Sequence, residues 1–376
     1  MSKRPHVMQV VGARPQIIKS AAIERAVHTN YADRLELSTL HTGQHYHREM
    51  SSVFYTELGL TSPQIQLDTG SGSHATQTSE MIKGCESAFK DIVPDAVMVY
   101  GDTNSTLGAA LAAYSLGIPV IHVEAGLRSF DRSMPEECNR IASDHLSSFL
   151  FCPTPTAVQH LQQEGLVAHD ERPSLESPGI FMTGDIMYDN HLHFTEQPID
   201  LSSIPGLDDL PEEFILATCH RPVNADDPEV LTGILGALER IGTELAPVIL
   251  PVHPRLKKHA NLLDRHGGSN SLRLIPPVGF LEMIALESRC RMVITDSGGV
   301  QKEAFFSKRP CVVLREETEW TELVDNGNSL LVGNEPDRII RGAIDLCQQS
   351  FDYPPLYGNG KSAEEICHIL SKNLSC

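Results

Sequence analysis

The sequence lacks any run of about 18 consecutive apolar residues, the minimum that a helix needs to cross a bilayer. The N-terminal Met-Ser-Lys-Arg-Pro-His leads into a short apolar strand and lacks the h-region and cleavage site of a signal peptide. We therefore predict a cytoplasmic protein with no membrane partner.

Cysteines at metal-site spacing are missing as well. The nine cysteines are scattered without a Cys-x-x-Cys pair, and the cluster His45-Tyr46-His47 has no cysteine or carboxylate pattern beside it. Without an export signal, such cysteines are interpreted as buried or incidental thiols. We predict no metal site.

An excess of basic residues is also absent. The sequence has 30 Lys and Arg against 49 Asp and Glu, a formal net charge of -19. This charge argues against nucleic acid or an anionic membrane as a partner. It also repels an anionic nucleotide-sugar at long range, so a site for one would need local cations and backbone amides.

The 376 residues are too many for one ordinary core, which favours two domains. Short apolar runs, each followed by a turn and a helical pattern, recur in both halves. They fall near residues 7–12, 35–41, 96–100, 119–123, 149–152 and 180–183, then 214–218, 248–252, 272–275, 291–295, 311–314 and 330–332. Continuous apolar runs are typical of parallel strands buried on both faces. We predict an α/β fold with two Rossmann-like domains, 1–193 and 214–355, joined by a proline-containing, acidic linker at 194–213.

The strongest local motif is TDSGGVQKEA, from Thr295 to Ala304. An apolar strand runs into Ser297-Gly298-Gly299, where a helix is predicted to begin. Glycines allow close approach to the backbone, and the helix start offers free N–H groups and a positive dipole end, which together suit a pyrophosphate. Glu303, one turn into the helix, is placed to accept hydrogen bonds from ribose hydroxyls. The alternative is a plain strand–helix turn with Glu303 on a solvated face.

Three acids of the first half occur where ligands of such sheets bind, beyond the ends of the strands. Asp102 follows Val-Tyr-Gly, Glu124 follows Ile-His-Val, and Glu136 lies in Met-Pro-Glu-Glu. Carboxylates in differing environments suit acid–base catalysis. Helix capping, particularly by Asp102 before Thr-Asn-Ser-Thr, and salt bridging are the open alternatives.

Cationic residues recur at similar positions. His220 and His253 each follow a predicted strand with an arginine nearby, and Arg14 and Lys19 lie in the segment GARPQIIK. Such groups can hold phosphate oxygens, although a single histidine is most often structural.

A dinucleotide fingerprint is not supported. Residues 70–75, GSGSHA, match GxGxxA but follow a polar stretch rather than a buried strand. We predict no cofactor.

Taken in order, ten segments resemble the non-hydrolysing UDP-N-acetylglucosamine 2-epimerase family. They are GARPQIIK, HTGQH, GDTNSTL, HVEAGLRS, MPEECNR, FCPT, CHRP, PVHPR, DSGGVQKEA and LREETEWTELVDNGNSLLVG, and they span nearly the whole chain. The resemblance implies a glycosyltransferase-B-like fold with a cleft between the domains. UDP would lie on domain 214–355 and the sugar would face the acids of domain 1–193. Residues 356–376 would return to the first domain, and the protein would be a homodimer.

The resemblance also implies the reaction, which is inversion at C2 of a UDP-linked N-acetylated sugar for surface-polysaccharide precursors. The family eliminates UDP to give a 2-acetamidoglucal and then adds UDP back with protonation on the opposite face. This route suits the residues because the C2 proton, with no adjacent carbonyl, is not acidic. Both steps need an acid or base near C2 and stabilisation of the departing pyrophosphate.

Site roles follow from the matched motifs. Asp102, Glu124 and Glu136 become the candidate acid–base groups, and His220 is placed near the leaving phosphate. Arg128 and Arg140 join the substrate-binding set as residues that position the acids. The implied UDP contacts are Arg14, Lys19, His253, Ser297, Gly298, Gly299 and Glu303.

Two departures from the UDP-N-acetylglucosamine branch indicate a different sugar. The sequence has Ala-Arg-Pro-Gln at 13–16 instead of Thr-Arg-Pro-Glu, and Thr-Glu-Trp-Thr-Glu at 318–322 instead of Thr-Glu-Arg-Pro-Glu. These variants resemble UDP-2,3-diacetamido-2,3-dideoxyglucuronate 2-epimerases. The alternatives are a hydrolysing relative that releases UDP, a glycosyltransferase of the same fold, and a UDP-sugar sensor without catalysis.

Overall fold

The computed structural model describes residues 4–44, 55–70, 72–167, 172–266 and 269–374. The His45-Tyr46-His47 cluster lies outside the described residues. The chain divides into two compact units, Met1–Asn190 with Pro355–Cys376, and His191–Pro354. Among the described helices, none has both the length and the apolar character to cross a membrane.

The first unit contains a seven-stranded sheet, as far as the chain is described, in the order β3-β2-β1-β4-β5-β6-β7. Every pairing is parallel. The strand order reverses between β1 and β4, the kind of position where open α/β sheets bind ligands. The strands are β1 (His6–Val11), β2 (Glu36–His41), β3 (Ile65–Gln66), β4 (Ala96–Tyr100), β5 (Val120–Val123), β6 (Phe149–Cys152) and β7 (Gly179–Met182).

The second unit repeats this plan with six described strands in the order β10-β9-β8-β11-β12-β13, again all parallel. Here the order reverses between β8 and β11. The strands are β8 (Ile215–Thr218), β9 (Val248–Pro251), β10 (Leu272–Ile275), β11 (Met292–Thr295), β12 (Cys311–Val313) and β13 (Ser329–Leu331). Two parallel sheets flanked by helices confirm the predicted fold class.

The helices begin where the local sequence favours a start. Proline lies in the first turn of the helices Arg14–Ala26, Pro135–His145 and Pro155–Gln163, where its missing N–H costs no hydrogen bond. The described helices are α1 (Arg14–Ala26, continued by a π-helical turn, Val27–Tyr31), α2 (His74–Ile92), α3 (Asn104–Ser115), α4 (Pro135–His145), α5 (Pro155–Gln163), α6 (Ile186–Thr195), α7 (Pro222–Ala225), α8 (Pro228–Glu244), α9 (Ala260–His266, after the 3-10 turn Pro254–His259), α10 (Phe280–Arg289), α11 (Gly298–Phe306), α12 (Thr321–Asp325), α13 (Pro336–Cys347) and α14 (Ser362–Asn373).

Residues 194–213, predicted to be a linker, contribute apolar side chains to the second unit. Leu201 and Leu207 are buried in a core cluster with Phe214 and the strands β8, β9, β11 and β12. Phe194 lies edge-on to Phe280, with 5.9 Å between the ring centroids. This segment therefore covers the sheet of the second unit with its apolar residues.

The C-terminal helix α14 belongs to the first unit. The Asp189 carboxylate accepts hydrogen bonds from the backbone N–H groups of Ser362 (3.1 Å) and Ala363 (2.8 Å) at the start of this helix. A carboxylate at a helix N-terminus satisfies free N–H groups and the dipole. This contact fixes the start of α14 to the first turn of α6.

Acid is expected to destabilise the second unit through His191. Its ring is 3% exposed, lies 3.2 Å from Ser307 Oγ through Nε2, and has a pKa lowered to about 4 by burial. Between pH 6.5 and 4 the unfolded chain binds a proton that the folded protein excludes, so stability falls as pH falls. Relative to His191→Gln, the wild type should lose about 2 kcal/mol of unfolding free energy between pH 7.5 and 5. Urea unfolding at both pH values measures this difference.

The control is His28→Gln, at an exposed position, which should lose the same unfolding free energy as the wild type between the two pH values. If His191→Gln and the wild type lost the same amount, His191 could not be the source of the pH dependence.

Candidate functional site

An ion pair joins the end of β5 to α1 in the first unit. Lys19 Nζ lies 2.6 Å from Glu124 Oε1, and each side chain is only 10% exposed. Glu124 has a φ of +70°, a left-handed conformation that costs a non-glycine residue about 1–3 kcal/mol. Its N–H is held by the carbonyl oxygen of Phe151 at 3.1 Å. The fold thus maintains a strained backbone at the residue predicted to transfer a proton.

Gly101, at the end of β4, permits this ion pair. Its φ is +61°, and a Cβ atom added there would lie 3.1 Å from Lys19 Nζ and 3.5 Å from Glu124 Oε1. Both the left-handed backbone and the close approach favour glycine.

A second ion pair fixes the adjacent acid. Asp102 Oδ2 lies 2.6 Å from Arg140 Nη2, and the other guanidinium nitrogen, Nη1, lies 2.9 Å from Glu137 Oε2. Burial opposes the charge of Arg140, but Asp102 and Glu137 outweigh burial and raise its pKa. The helix cap of α3 is Thr103, whose Oγ1 accepts from Thr106 N at 3.3 Å. The Asp102 carboxylate is therefore used for the ion pair and not for the cap.

A buried chain of polar groups contacts the turn after β4, which contains Gly101 and Asp102. His122 Nε2 lies 2.8 Å from the Gly101 carbonyl oxygen, and His122 Nδ1 lies 2.7 Å from Asp144 Oδ1. Arg128 pairs with Asp144 and Glu164, each at 2.7 Å, with its side chain 1% exposed. Burial would raise the pKa of Asp144, but His122 and Arg128 lower it. Arg128 is thus linked to the turn at Gly101 through Asp144 and His122.

Sequence reasoning missed Glu137. It is buried, whereas the predicted Glu136 is exposed. The Glu137 carboxylate accepts from Ser129 N (2.9 Å), Ser129 Oγ (2.9 Å) and Phe130 N (3.0 Å) as well as from Arg140. The i,i+3 spacing of Glu137 and Arg140 on one helix is the signal that would have identified it.

Gln16 stands where the UDP-N-acetylglucosamine branch has glutamate, and its amide group makes hydrogen bonds that a glutamate could not all make. Its Oε1 accepts from Gly12 N (2.9 Å) and Ala13 N (3.1 Å), and its Nε2 donates to the Tyr100 carbonyl oxygen (3.0 Å) and to Thr106 Oγ1 (3.0 Å). An ionised glutamate could accept the first two bonds but could not donate the others. The amide therefore holds the ends of β1 and β4 together.

The structure brings some, but not all, of the site residues predicted in the first unit close together. Arg14, at the first position of α1, and Glu136, in the first turn of α4, are both exposed. The residues that the ends of β4 and β5 bring together, called the acid cluster below, are Lys19, Asp102, Glu124 and Arg140.

Gly101→Ala is expected to lower stability through its backbone conformation and, in addition, to disturb the acid cluster. Gly117 is the matched control, because its φ is +68° but an added Cβ would meet nothing within 4 Å. Both alanine variants should lose about 1 kcal/mol of stability from the left-handed backbone. Only Gly101→Ala should also lower kcat, by roughly tenfold or more, because the methyl group displaces Lys19. Urea unfolding and turnover assays separate the two effects, and equal kcat values for both variants would refute the crowding argument.

In the second unit, Asp296 follows β11 and organises the turn after β8. Its carboxylate accepts from the backbone N–H groups of His220 (3.0 Å) and Arg221 (2.9 Å) and from Asn224 Nδ2 (3.1 Å). His220 Nδ1 lies 3.2 Å from Asp296 Oδ1; Asp296 is fully buried, whereas the His220 side chain is 36% exposed. The carboxylate contacts Nδ1 and thereby orients the imidazole.

His253 lies beside His220, with 5.3 Å between the ring centroids. It is exposed, and its Nδ1 accepts from Arg255 N at 3.2 Å. Desolvation and the neighbouring His220 lower the pKa of His253. The structure therefore brings the two predicted histidines together.

The start of α11 is the place where the sequence predicts an anion site. Ser297 is the cap, with Oγ accepting from Val300 N at 3.5 Å. A Cβ atom on Gly298 would clash with Glu319 Oε1, and Arg315 Nη1 holds Glu319 Oε2 at 2.8 Å. A Cβ atom on Gly299 would lie 4.0 Å from Ser297 Oγ, so there is room on that side. Arg315 and Glu319 were missed, although both lie in the LREETEW segment that carried the resemblance.

Trp320 stands where the UDP-N-acetylglucosamine branch has arginine, and its ring packs against a lysine of the second unit. Lys302 Nζ lies 4.0 Å from the centre of the Trp320 ring, and the tryptophan is only 5% exposed. A cation over an aromatic face is attracted by the ring quadrupole. Trp320 therefore packs inside the second unit against α11.

Comparison with known proteins assigns the family. The family model for UDP-N-acetylglucosamine 2-epimerases matches residues 28–371. A UDP-2,3-diacetamido-2,3-dideoxy-D-glucuronate 2-epimerase of Pseudomonas aeruginosa is 44% identical over 97% of this chain and 99% of its own. The Methanocaldococcus jannaschii UDP-GlcNAc 2-epimerase, solved in complex with UDP-GlcNAc and UDP, is 38% identical, with a TM-score of 0.84 over 98% of this chain and 99% of that one.

A more distant structure extends the comparison to fold alone. MurG of Acinetobacter baumannii is 13% identical, with a TM-score of 0.54 over 98% of this chain and 99% of its own. The architecture is accordingly glycosyltransferase-B-like, as predicted. The matched family model and the extent of the 44% identity show that the chain belongs to the UDP-N-acetylglucosamine 2-epimerase family and is a UDP-sugar epimerase.

Proposed function

We propose that this protein inverts C2 of a UDP-linked N-acetylated amino sugar by eliminating UDP and adding it back, without releasing free sugar. The observation that carries this proposal is the acid cluster. Asp102 and Glu124 follow neighbouring strands, and each is held by its own cation at 2.6 Å. Proton removal and proton delivery at one carbon require two such oriented groups.

The proposed chemistry has two balanced steps. A carboxylate takes the C2 proton while the C1–O bond to UDP breaks, which leaves a C1=C2 double bond in a 2-acetamidoglucal. A phosphate oxygen of UDP then attacks C1, and a carboxylic acid delivers a proton to the opposite face of C2. Asp102 and Glu124 are the proposed proton-transfer groups, and Glu136 stays a candidate from the sequence. No cofactor takes part.

The second unit supplies the groups proposed to bind the leaving UDP. Free N–H groups and the positive dipole end at the start of α11 stabilise a pyrophosphate. His220, oriented by Asp296 at 3.2 Å, is proposed to donate from Nε2 to a phosphate oxygen. His253 completes the phosphate contacts proposed for this unit, and Glu303 is proposed to accept from the ribose hydroxyls. Arg14, in the first unit, stays a candidate phosphate contact from the sequence.

The proposed sugar is a UDP-2,3-diacetamido-2,3-dideoxyglucuronate, and the product is its mannuronate epimer for surface-polysaccharide synthesis. The 44% identity with an enzyme of that name supports this choice. Gln16 and Trp320, which set this sequence apart from the UDP-N-acetylglucosamine branch, both have partners that suit them here. A cytoplasmic location and a homodimer stay predictions from the sequence.

Proton NMR in D2O tests the function directly. The protein is incubated with UDP-GlcNAc and, separately, with UDP-2,3-diacetamido-2,3-dideoxyglucuronate. We expect deuterium to enter C2 of a product that still carries UDP, with the diacetamido sugar turning over faster. Accumulation of free sugar and UDP would instead establish a hydrolysing enzyme. Sugar transfer to an added acceptor, or no turnover of either sugar, would favour the transferase or the sensor.

A further inference from the structure

His122 lies on β5, is fully buried, and has no role in the proposed chemistry. Its Nδ1 lies 2.7 Å from Asp144 Oδ1, and Arg128 holds the other oxygen of that carboxylate at 2.7 Å. These contacts fix the plane of the imidazole ring. Its Nε2 lies 2.8 Å from the carbonyl oxygen of Gly101. A carbonyl oxygen only accepts hydrogen bonds, so Nε2 carries the hydrogen of this contact.

The oxygen that His122 holds belongs to the peptide unit that joins Gly101 to Asp102. A peptide unit is planar, so a hydrogen bond to its oxygen also fixes the direction of the following N–Cα bond, here that of Asp102. On its other side, Gly101 N donates to the Val123 carbonyl oxygen at 3.0 Å. Glycine permits many other backbone conformations, so these two bonds select the one that places Asp102.

The peptide unit after Asp102 is held as well. Asn139, which lies on α4 and is 1% exposed, donates from Nδ2 to the Asp102 carbonyl oxygen at 2.9 Å. Both peptide planes that meet at the Cα atom of Asp102 are therefore fixed by buried side chains, which sets the direction of its Cα–Cβ bond. Arg140 then holds Oδ2 of the carboxylate at 2.6 Å.

We propose that His122 and Asn139 are positioning residues for proton transfer by Asp102. Their side-chain hydrogens hold the peptide planes on either side of this residue, so its carboxylate meets C2 of the sugar in one orientation. Orientation matters because a misplacement of about 1 Å can lower a rate by about 100-fold. This inference rests on the proposed function, in which Asp102 transfers a proton.

Two substitutions at position 122 separate the two contacts of the ring. The amide nitrogen of His122→Gln reaches the place of Nε2 and can still donate to Gly101, whereas that of His122→Asn reaches the place of Nδ1 and can donate only to Asp144. We expect His122→Asn to lower kcat by about 10–100-fold, with KM and UDP affinity nearly unchanged. His122→Gln should retain nearly wild-type kcat. Deuterium incorporation at C2 measures turnover, and calorimetry measures UDP affinity.

Urea unfolding of the same variants distinguishes positioning from a general effect on stability. His122→Gln gives up the contact with a carboxylate, and His122→Asn gives up the contact with a neutral carbonyl group. Hydrogen bonds to charged partners are the stronger ones, so a purely structural role predicts the larger loss for His122→Gln. Turnover that follows the free energy of unfolding, or that is the same in both variants, would overturn the inference.

Asp102→Asn separates failure of this inference from failure of the proposed function. It should lower turnover by about 10²–10⁴-fold, because an amide cannot take up a proton at neutral pH. Wild-type turnover in Asp102→Asn would remove Asp102 from the chemistry and overturn the inference with it. An inactive Asp102→Asn, together with equal turnover of the two variants at position 122, would overturn the inference alone.

The second positioning residue keeps the inference testable if the variants at position 122 do not fold. Asn139→Ala frees the peptide plane after Asp102 and should lower kcat by about tenfold, with UDP affinity nearly unchanged. The control is Ser147→Ala, which removes another buried donor, one that bonds the Ser143 carbonyl oxygen at 2.7 Å, and it should retain wild-type turnover. Equal turnover of Asn139→Ala and Ser147→Ala would overturn the inference.

Discussion

Replacing Glu124 with Gln is expected to lower the epimerisation rate by about 10²–10⁴-fold while UDP affinity stays nearly unchanged. The amide has the shape of the carboxylate and can still accept from Lys19, now 2.6 Å away, but it cannot take up a proton at neutral pH. UDP affinity should persist because most of the groups proposed to bind the nucleotide belong to the second unit.

Two measurements check this expectation. Deuterium incorporation at C2, followed by NMR, reports the chemical step, and calorimetry with UDP reports binding. Glu80→Gln is the matched control, since Glu80 is an exposed acid that also pairs with a lysine, Lys83, at 2.9 Å. It should behave as the wild type in both assays. A collapse of UDP affinity in Glu124→Gln would show that proton transfer and nucleotide binding are not separable in this way.

Asp296→Asn is expected to lower both stability and turnover. The carboxylate accepts from His220 N, Arg221 N and Asn224 Nδ2, and it also faces His220 Nδ1. An asparagine has one oxygen and one NH₂ group, so at least one buried donor would face another donor. We expect a loss of about 1–3 kcal/mol in the free energy of unfolding. Release of the His220 ring should reduce kcat by about 10–100-fold, as for other second-sphere carboxylates that orient a histidine.

Urea unfolding and turnover assays measure the two effects of Asp296→Asn. The matched control is Asp226→Asn in the same unit, where an exposed aspartate pairs with Arg255 at 2.8 Å. Exposed ion pairs contribute about 0–1 kcal/mol, so this variant should stay close to the wild type. If Asp296→Asn changed the free energy of unfolding and kcat as little as the control does, Asp296 could not be the residue that orients His220.

The sequence by itself determined the succession of strands and helices and the places where functional groups follow strands. Ala96–Tyr100, Phe149–Cys152 and Leu272–Ile275 were predicted with the bounds that the structure has. Strands buried on both faces are written as continuous apolar runs, and such runs need no partner to be recognised. Capping residues and glycines likewise act locally, so the start of α11 at Ser297 could be inferred from the motif. The edge strand Ile65–Gln66 was missed because two residues carry no periodic signal.

The tertiary structure alone decided which groups meet. Lys19 pairs with Glu124, 105 residues away, because the sheet order places β1 beside β4 and β4 beside β5. Helix phase buried Glu137 and left its neighbour Glu136 exposed. Local patterns record what each residue needs from its own segment, whereas pairing and burial depend on distances between segments that only folding establishes.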